Sequence, residues 1–193
     1  MKKTIKILEY SFTIESGSKK RKHKNNSYGI SETSKCRNRL SSYCKGYGVD
    51  LGFGGDPINS SCIRVDFPTP YANVGDYPVQ LGGNAENLIW FNDETLDYVY
   101  SSHLLEDFQD TEKVLREWIR VLKPNGRLVI FCPDEKLFRN HCKETGQPYN
   151  TAHIHENFSL NFVKTILSGL GITKVIYEKD NVDIYSWDLV CEK

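Results

Sequence analysis

The feature that most constrains the fold is an alternation. Past Ser41, apolar runs of strand length are separated by polar loops and by two amphipathic stretches, each of which precedes a strand. Strand-length runs fall at 48–51, 63–67, 79–82, 96–101 and 127–132, with two more at 174–178 and 184–191. Such an order predicts an α/β domain built on a mostly parallel sheet. The first helix is predicted over 111–122. Asp110 stands as its N-cap, Val114, Leu115, Trp118, Val121 and Leu122 form its stripe, and Pro124 and Gly126 stop it. The second is predicted over 160–170, capped by Ser159 and ended at Gly171. The last two strands are separated by the short polar segment Lys179, Asp180, Asn181, too short for a crossover helix, so an antiparallel hairpin strand is expected at the sheet edge.

The early part of this alternation is truncated. Only residues 52–62 join the first two strands, and the next connection carries Pro68, Pro70 and Pro78. Neither has room for a full crossover helix. A parallel sheet left uncovered exposes apolar side chains at about 25 cal/mol per Å². The missing cover is expected from the N-terminal extension, residues 1–40, or from a second copy of the chain as a homodimer. That extension holds a short alternating stretch, residues 5–14, and a basic run from Lys19 to Lys24, read as a solvated tail. Residues 41–193 are read as the main domain.

Bulk composition excludes several classes. Acidic and basic residues balance at 25 each, so no global field draws the chain to nucleic acid or anionic lipid. The six cysteines form no C-x-x-C pair and read as reduced thiols of a cytoplasmic protein. No apolar stretch reaches the roughly 20 residues of a membrane span.

The chemistry concentrates at strand ends. Gly48-Val49-Asp50-Leu51-Gly52-Phe53-Gly54-Gly55-Asp56 ends a strand in an acidic residue and a glycine-rich turn, where backbone approaches a ligand unhindered by Cβ. The dinucleotide fingerprint G-x-G-x-x-G fails, because Pro57 occupies its third glycine position. Asp66, at the end of the next strand, is placed to accept hydrogen bonds from both hydroxyls of a ribose. Gly82-Gly83-Asn84-Ala85-Glu86-Asn87-Leu88 offers backbone and amide groups at a third strand end. All three loops belong on the carboxyl edge of one sheet, where open α/β folds bind ligands.

Two further runs are more specific: Phe91-Asn92-Asp93-Glu94-Thr95-Leu96-Asp97-Tyr98-Val99-Tyr100-Ser101-Ser102-His103-Leu104-Leu105-Glu106-Asp107-Phe108, and Leu115-Arg116-Glu117-Trp118-Ile119-Arg120-Val121-Leu122-Lys123-Pro124-Asn125-Gly126-Arg127-Leu128-Val129-Ile130. From about residue 44 to 192 the chain resembles the class I S-adenosylmethionine (SAM) dependent methyltransferases, most closely the type 11 branch. The resemblance implies a Rossmann-like, mostly parallel seven-stranded sheet and SAM as cofactor. It implies cofactor contacts at Asp50, Gly52, Phe53 and Gly54, at Asp66 and Phe67, at Asn84 and Ala85, and at Ser101 and Ser102. Asn84 stands where the family commonly has Asp. His103 is the expected catalytic base and borders the acceptor. Tyr149, His153 and His155, on a polar loop after the fifth strand, are expected to face the substrate. His153 and His155, with Cys142 or Glu156, match no recognised zinc spacing, so no metal is expected. Ser101-Ser102-His103 is not the Asn-Pro-Pro-Tyr type of amino-group methylation. Cys132-Pro133 reverses the order used to attack cytosine. A small-molecule oxygen or carbon acceptor is left by elimination. The alternative function is a catalytically reduced scaffold domain, suggested by the shortened crossovers.

Overall fold

The computed structural model describes residues 2–7, 10–15, 30–70 and 73–193, the first two segments in backbone alone. β1 (Lys2–Ile7) and β2 (Tyr10–Glu15) pair antiparallel, with Lys2 opposite Glu15. The basic run 19–24 lies outside the described residues. Next come α1 (Glu32–Leu40), β3 (Gly48–Leu51), β4 (Ile63–Asp66), β5 (Leu81–Gly82) and β6 (Leu96–Ser102). α2 (Thr111–Val121), β7 (Leu122–Pro133), α3 (Glu135–Thr145), α4 (Leu160–Gly169), β8 (Lys174–Val182) and β9 (Ser186–Glu192) complete the chain.

Seven strands form one sheet in the order β5-β4-β3-β6-β7-β9-β8. The five strands from β5 to β7 are parallel, while β9 runs antiparallel to both β7 and β8. The mostly parallel seven-stranded α/β fold expected from the sequence is the fold observed. Its antiparallel strand is β9, and it lies between β7 and β8 rather than at the edge. β8 also continues through Lys179, Asp180 and Asn181, across a register shift, and the hairpin turns at Asp183, Ile184 and Tyr185. The polar composition at 179–181 marks an exposed edge strand rather than a turn.

Strand alternation sorts side chains onto two faces. Val49, Leu51, Val65, Val99, Leu128, Ile130 and Leu189 face α2 and α4, which contribute Val114, Leu115, Trp118, Leu160, Val163 and Leu167. Tyr98, Tyr100, Val129, Phe131 and Val190 face the other way, against Cys36 and Leu40 of α1 and against Cys44, Ile58 and Cys62. The sheet face that lacks crossover helices is thus covered by a helix from before the first sheet strand. α1, which falls within residues 1–40, packs on this face through Cys36 and Leu40.

α1 forms because Ser31 caps it: its Oγ accepts from Ser34 N at 2.9 Å, and Glu32 sits in the first turn. Polar bonds fix it to the sheet. Arg39 Nε donates to Asp188 Oδ2 at 2.6 Å, and Arg37 Nη2 to Asp56 Oδ1 at 2.6 Å. Helix α3 was not expected from the sequence. It is capped by Asp134, whose Oδ1 accepts from Leu137 N, and it buries only Glu135, Phe138 and Cys142. The two early connections are loops, as expected, and they brace each other: Val74 N donates to Gly54 O at 2.8 Å. Gly55, at φ +85°, allows this close approach, since a Cβ there would sit 2.9 Å from the backbone N of Gly75.

Candidate active site

The carboxyl ends of β3, β4, β5 and β6 open into one cavity of about 470 Å³, within the range of small-molecule sites. Sheet order gives this cavity two ends. The tips of β4 and β5 supply Asp66, Phe67, Gly83, Asn84 and Ala85; the far side carries Ser102, His103, Asp107, Asn150 and His153. Gly52, Phe53 and Gly54 line the stretch between, and the first turn of α1 closes it with Ser31, Glu32 and Thr33. Gly52 has φ +68°, and a Cβ there would meet the Leu104 side chain at 2.8 Å.

Asp66 lines the cavity at the β4 tip. Its Oδ2 accepts from Gly54 N at 3.1 Å and its Oδ1 from Phe67 N at 2.8 Å, which ties the β4 tip to the glycine loop. Each oxygen keeps a further lone pair for a ligand. Burial raises its pKa, against these two backbone bonds. Phe67 is 50% exposed, so its ring belongs to the cavity wall and not to the core. Asn84 also lines the cavity, with its amide donating to Glu86 Oε2 and its oxygen accepting from Glu86 N. Ala85 is anchored from behind, since its carbonyl accepts the Trp118 indole N–H at 2.9 Å.

Two expected cofactor residues lie elsewhere. Asp50 is fully buried on the α1 face, where its Oδ2 accepts from Ile58 N at 2.7 Å. It holds the glycine loop from below and does not line the cavity, because β3 alternation turns it away from the strand tip. Burial pushes its pKa well above the ordinary carboxylate range. Ser101 is also buried, its hydroxyl donating to Leu51 O at 3.1 Å, a tie between β6 and β3. Ser102, its neighbour, faces the cavity.

Among the expected acceptor residues, His103 and His153 reach the cavity, while Tyr149 and His155 do not line it. Tyr149 hydrogen-bonds Glu135 and the His153 carbonyl; His155 Nε2 lies 2.7 Å from Phe108 O and 3.3 Å from Thr111 Oγ1. Both fasten the loop that carries His153. His103 has φ +47°, and its Nε2 lies 3.3 Å from Ser186 Oγ and 3.4 Å from Glu32 Oε2. Burial lowers its pKa to about 4, with Glu32 acting in the opposite direction, so the imidazole is neutral at pH 7.

Sequence reasoning missed the first turn of α1 and the pair Glu106 and Asp107. Ser31 and Glu32 carried a readable signal, a cap followed by an acidic first turn. Nothing local showed that this helix would close the cavity. Glu106 and Asp107 lie within the run 91–108, but no spacing rule marks two adjacent carboxylates as a site.

A sequence model of the family described as "Methyltransferase domain" matches residues 58–130. A demethylmenaquinone methyltransferase of Streptomyces griseus is 58% identical over 40 residues, which are 21% of this chain and 17% of that relative. Solved structures extend the likeness across the fold. A SAM-dependent methyltransferase from Archaeoglobus fulgidus superposes with TM-score 0.66 at 16% identity, covering 83% of this chain and 92% of that one. Another from Thermotoga maritima gives TM-score 0.60 at 19% identity, over 84% and 87%. The fold is that of the class I SAM-dependent methyltransferases. The family model covers residues 58–130, and the solved structures share the fold across more than four-fifths of the chain.

Among the described residues no helix is long and apolar enough to cross a membrane.

Proposed function

We propose that this chain binds SAM in the cavity at the strand tips and methylates a small-molecule acceptor seated between His103, Asn150, His153 and the first turn of α1. The observation that carries this reading is the convergence of Gly52 to Gly54, Asp66 with Phe67, and Gly83 to Ala85 on one cavity. The residues present fit the cofactor. Asp66 has lone pairs for two ribose hydroxyls, Phe67 offers an exposed ring face to a base, and the glycine turn leaves room for the amino-acid portion.

When bound, SAM supplies an electrophilic sulfonium methyl. The chain's own task is to orient an acceptor lone pair and take up its proton. His103 is the residue for that task. It is neutral because it is buried, and Glu32, 3.4 Å from its Nε2, would favour the protonated ring. Loss of the crossover helix after β3 removes the usual wall beside the glycine turn, and α1 takes its place. Ser31, Glu32 and Thr33 therefore form part of the wall around the acceptor.

Calorimetry with SAM, S-adenosylhomocysteine and NAD tests the reading. Binding of the first two and not the third is expected. Asp66→Ala should weaken SAM binding about 10- to 100-fold, the value of hydrogen bonds to a charged group. Unchanged affinity in that variant removes Asp66 from the site, and no binding of either adenosyl compound removes the reading.

A further inference from the structure

His153 is a buried imidazole with its two nitrogens turned to different carboxylates. Its Nδ1 lies 2.9 Å from Glu135 Oε2. Glu135 is itself fully buried at the first position of α3, where Arg139 Nε donates to its Oε1 at 2.7 Å and the Tyr149 hydroxyl also donates. The tautomer that donates Nδ1–H to a carboxylate so held presents its lone pair on Nε2, the arrangement by which an outer carboxylate orients a metal-bound histidine.

That Nε2 is aimed at Glu106, whose Oε1 stands 3.7 Å away. Glu106 is 1% exposed; its Oε1 has no hydrogen-bond partner among the described residues, with His103 Nδ1 also 3.7 Å from it, and its Oε2 receives the Cys132 thiol at 3.4 Å. A buried oxygen with no donor is costly unless a cation or another donor meets it. Asp107 brings a second carboxylate: one ligand atom from each of Glu106, Asp107 and His153 lies within 4.8 Å of the others. Three ligands of one ion at about 2.1 Å stand about 3.6 Å apart at most when evenly spread, so the longest separation needs to close by about an ångström.

We propose that Glu106, Asp107 and His153 bind a divalent transition-metal ion at the acceptor end of the cavity. Two carboxylates and one imidazole suit Mn²⁺, Fe²⁺ or Zn²⁺ better than an all-oxygen ion such as Ca²⁺. Asp107 and His153 line the cavity and Glu106 lies behind them, so the ion's remaining positions face the space assigned to the acceptor. An acceptor oxygen bound there would lose its proton more easily, and its lone pair would be fixed in direction. The inference deepens the methyl-transfer reading by selecting acceptors with a metal-binding oxygen.

The test needs no methyl acceptor. The full chain, stripped with a chelator, is titrated at pH 7 with MnCl₂ and with ZnCl₂ by calorimetry, and bound Mn²⁺ is counted by electron paramagnetic resonance. One ion per chain is expected, with Kd at least tenfold weaker in Glu106→Gln and in Asp107→Asn and unchanged in Glu112→Gln on the solvent face of α2. Asp107 is partly exposed, so its variant decides the matter should Glu106→Gln fail to fold. Failure of both ions to bind at one per chain overturns the proposal, as does equal binding in Asp107→Asn. The same samples titrated with SAM report on the cofactor end alone, which separates loss of this proposal from loss of the methyl-transfer reading.

Discussion

The two faces of the sheet are covered by different means. On one, α2 and α4 bury apolar stripes against Val49, Val99, Ile130 and Leu189, and the contact is mainly packing. On the other, α1 brings only Cys36 and Leu40 as buried apolar side chains, and polar clamps do much of the fastening. Arg39 grips the fully buried Asp188 through two nitrogens and also reaches Asp183 in the hairpin turn at 2.7 Å. The Tyr100 hydroxyl stands between Thr33 Oγ1 at 3.2 Å and Cys36 Sγ at 3.1 Å. A crossover helix is delivered to its face by the chain on both sides. α1 joins the sheet through the chain after it, and directional bonds from Arg39 and Arg37 help set its register.

Breaking each cover should therefore show a different signature. Trp118→Ala, in the α2 face, should cost roughly 4–5 kcal/mol by urea unfolding, since it leaves a large void and strips the Ala85 carbonyl of its donor. Only refilling the volume should restore it. Arg39→Ala should cost about 3 kcal/mol, because among the described residues Asp188 then stays buried with the Tyr177 hydroxyl, 3.3 Å away, as its remaining side-chain hydrogen-bond partner. Here an apolar pair should do as well: Arg39→Met with Asp188→Leu is expected to recover most of the loss. If the double variant is no more stable than Arg39→Ala, the clamp is not what holds α1, and the contrast between the faces fails.

The same contrast explains what the sequence disclosed. Val114, Leu115, Trp118 and Val121 repeat at helical spacing, so α2 and its face were legible, as were the strand-end loops at Gly52, Asp66 and Asn84. α3 was not, because its buried positions include Glu135, a residue that patterns as surface. Asp50 and Ser101 were misplaced for a simpler reason. A strand tip offers two directions, and a motif does not tell which of them a side chain takes. Helix α1 has a polar sequence, ETSKCRNRL, and its cap was readable while its destination was not. Long-range polar pairing, such as Arg39 with Asp188, leaves no periodic trace.

The smallest expected effect tests whether the α1 cover, unlike its counterpart, depends on titration. Burial raises the pKa of Asp56, but hydrogen bonds from Arg37 and Ser31 outweigh it and hold the carboxyl below its ordinary value. A depressed folded-state pKa contributes stability above the unfolded value, about 3.9, and loses it as pH falls through the folded value. Arg37 and Asp56 are each about 30% exposed, so solvent screening limits the contribution to roughly 1 kcal/mol. Asp56→Asn should accordingly be less stable than the parent chain by about that much at pH 7, and the gap should close at acid pH, once the depressed folded-state value is passed. Trp118→Ala should keep its deficit at both values, since no charge crosses that interface at the indole. A gap for Asp56→Asn that persists at low pH would mean that shape, not charge, seats the first turn of α1 over the cavity. In that case the wall formed by Ser31, Glu32 and Thr33 would be as fixed as the helices opposite.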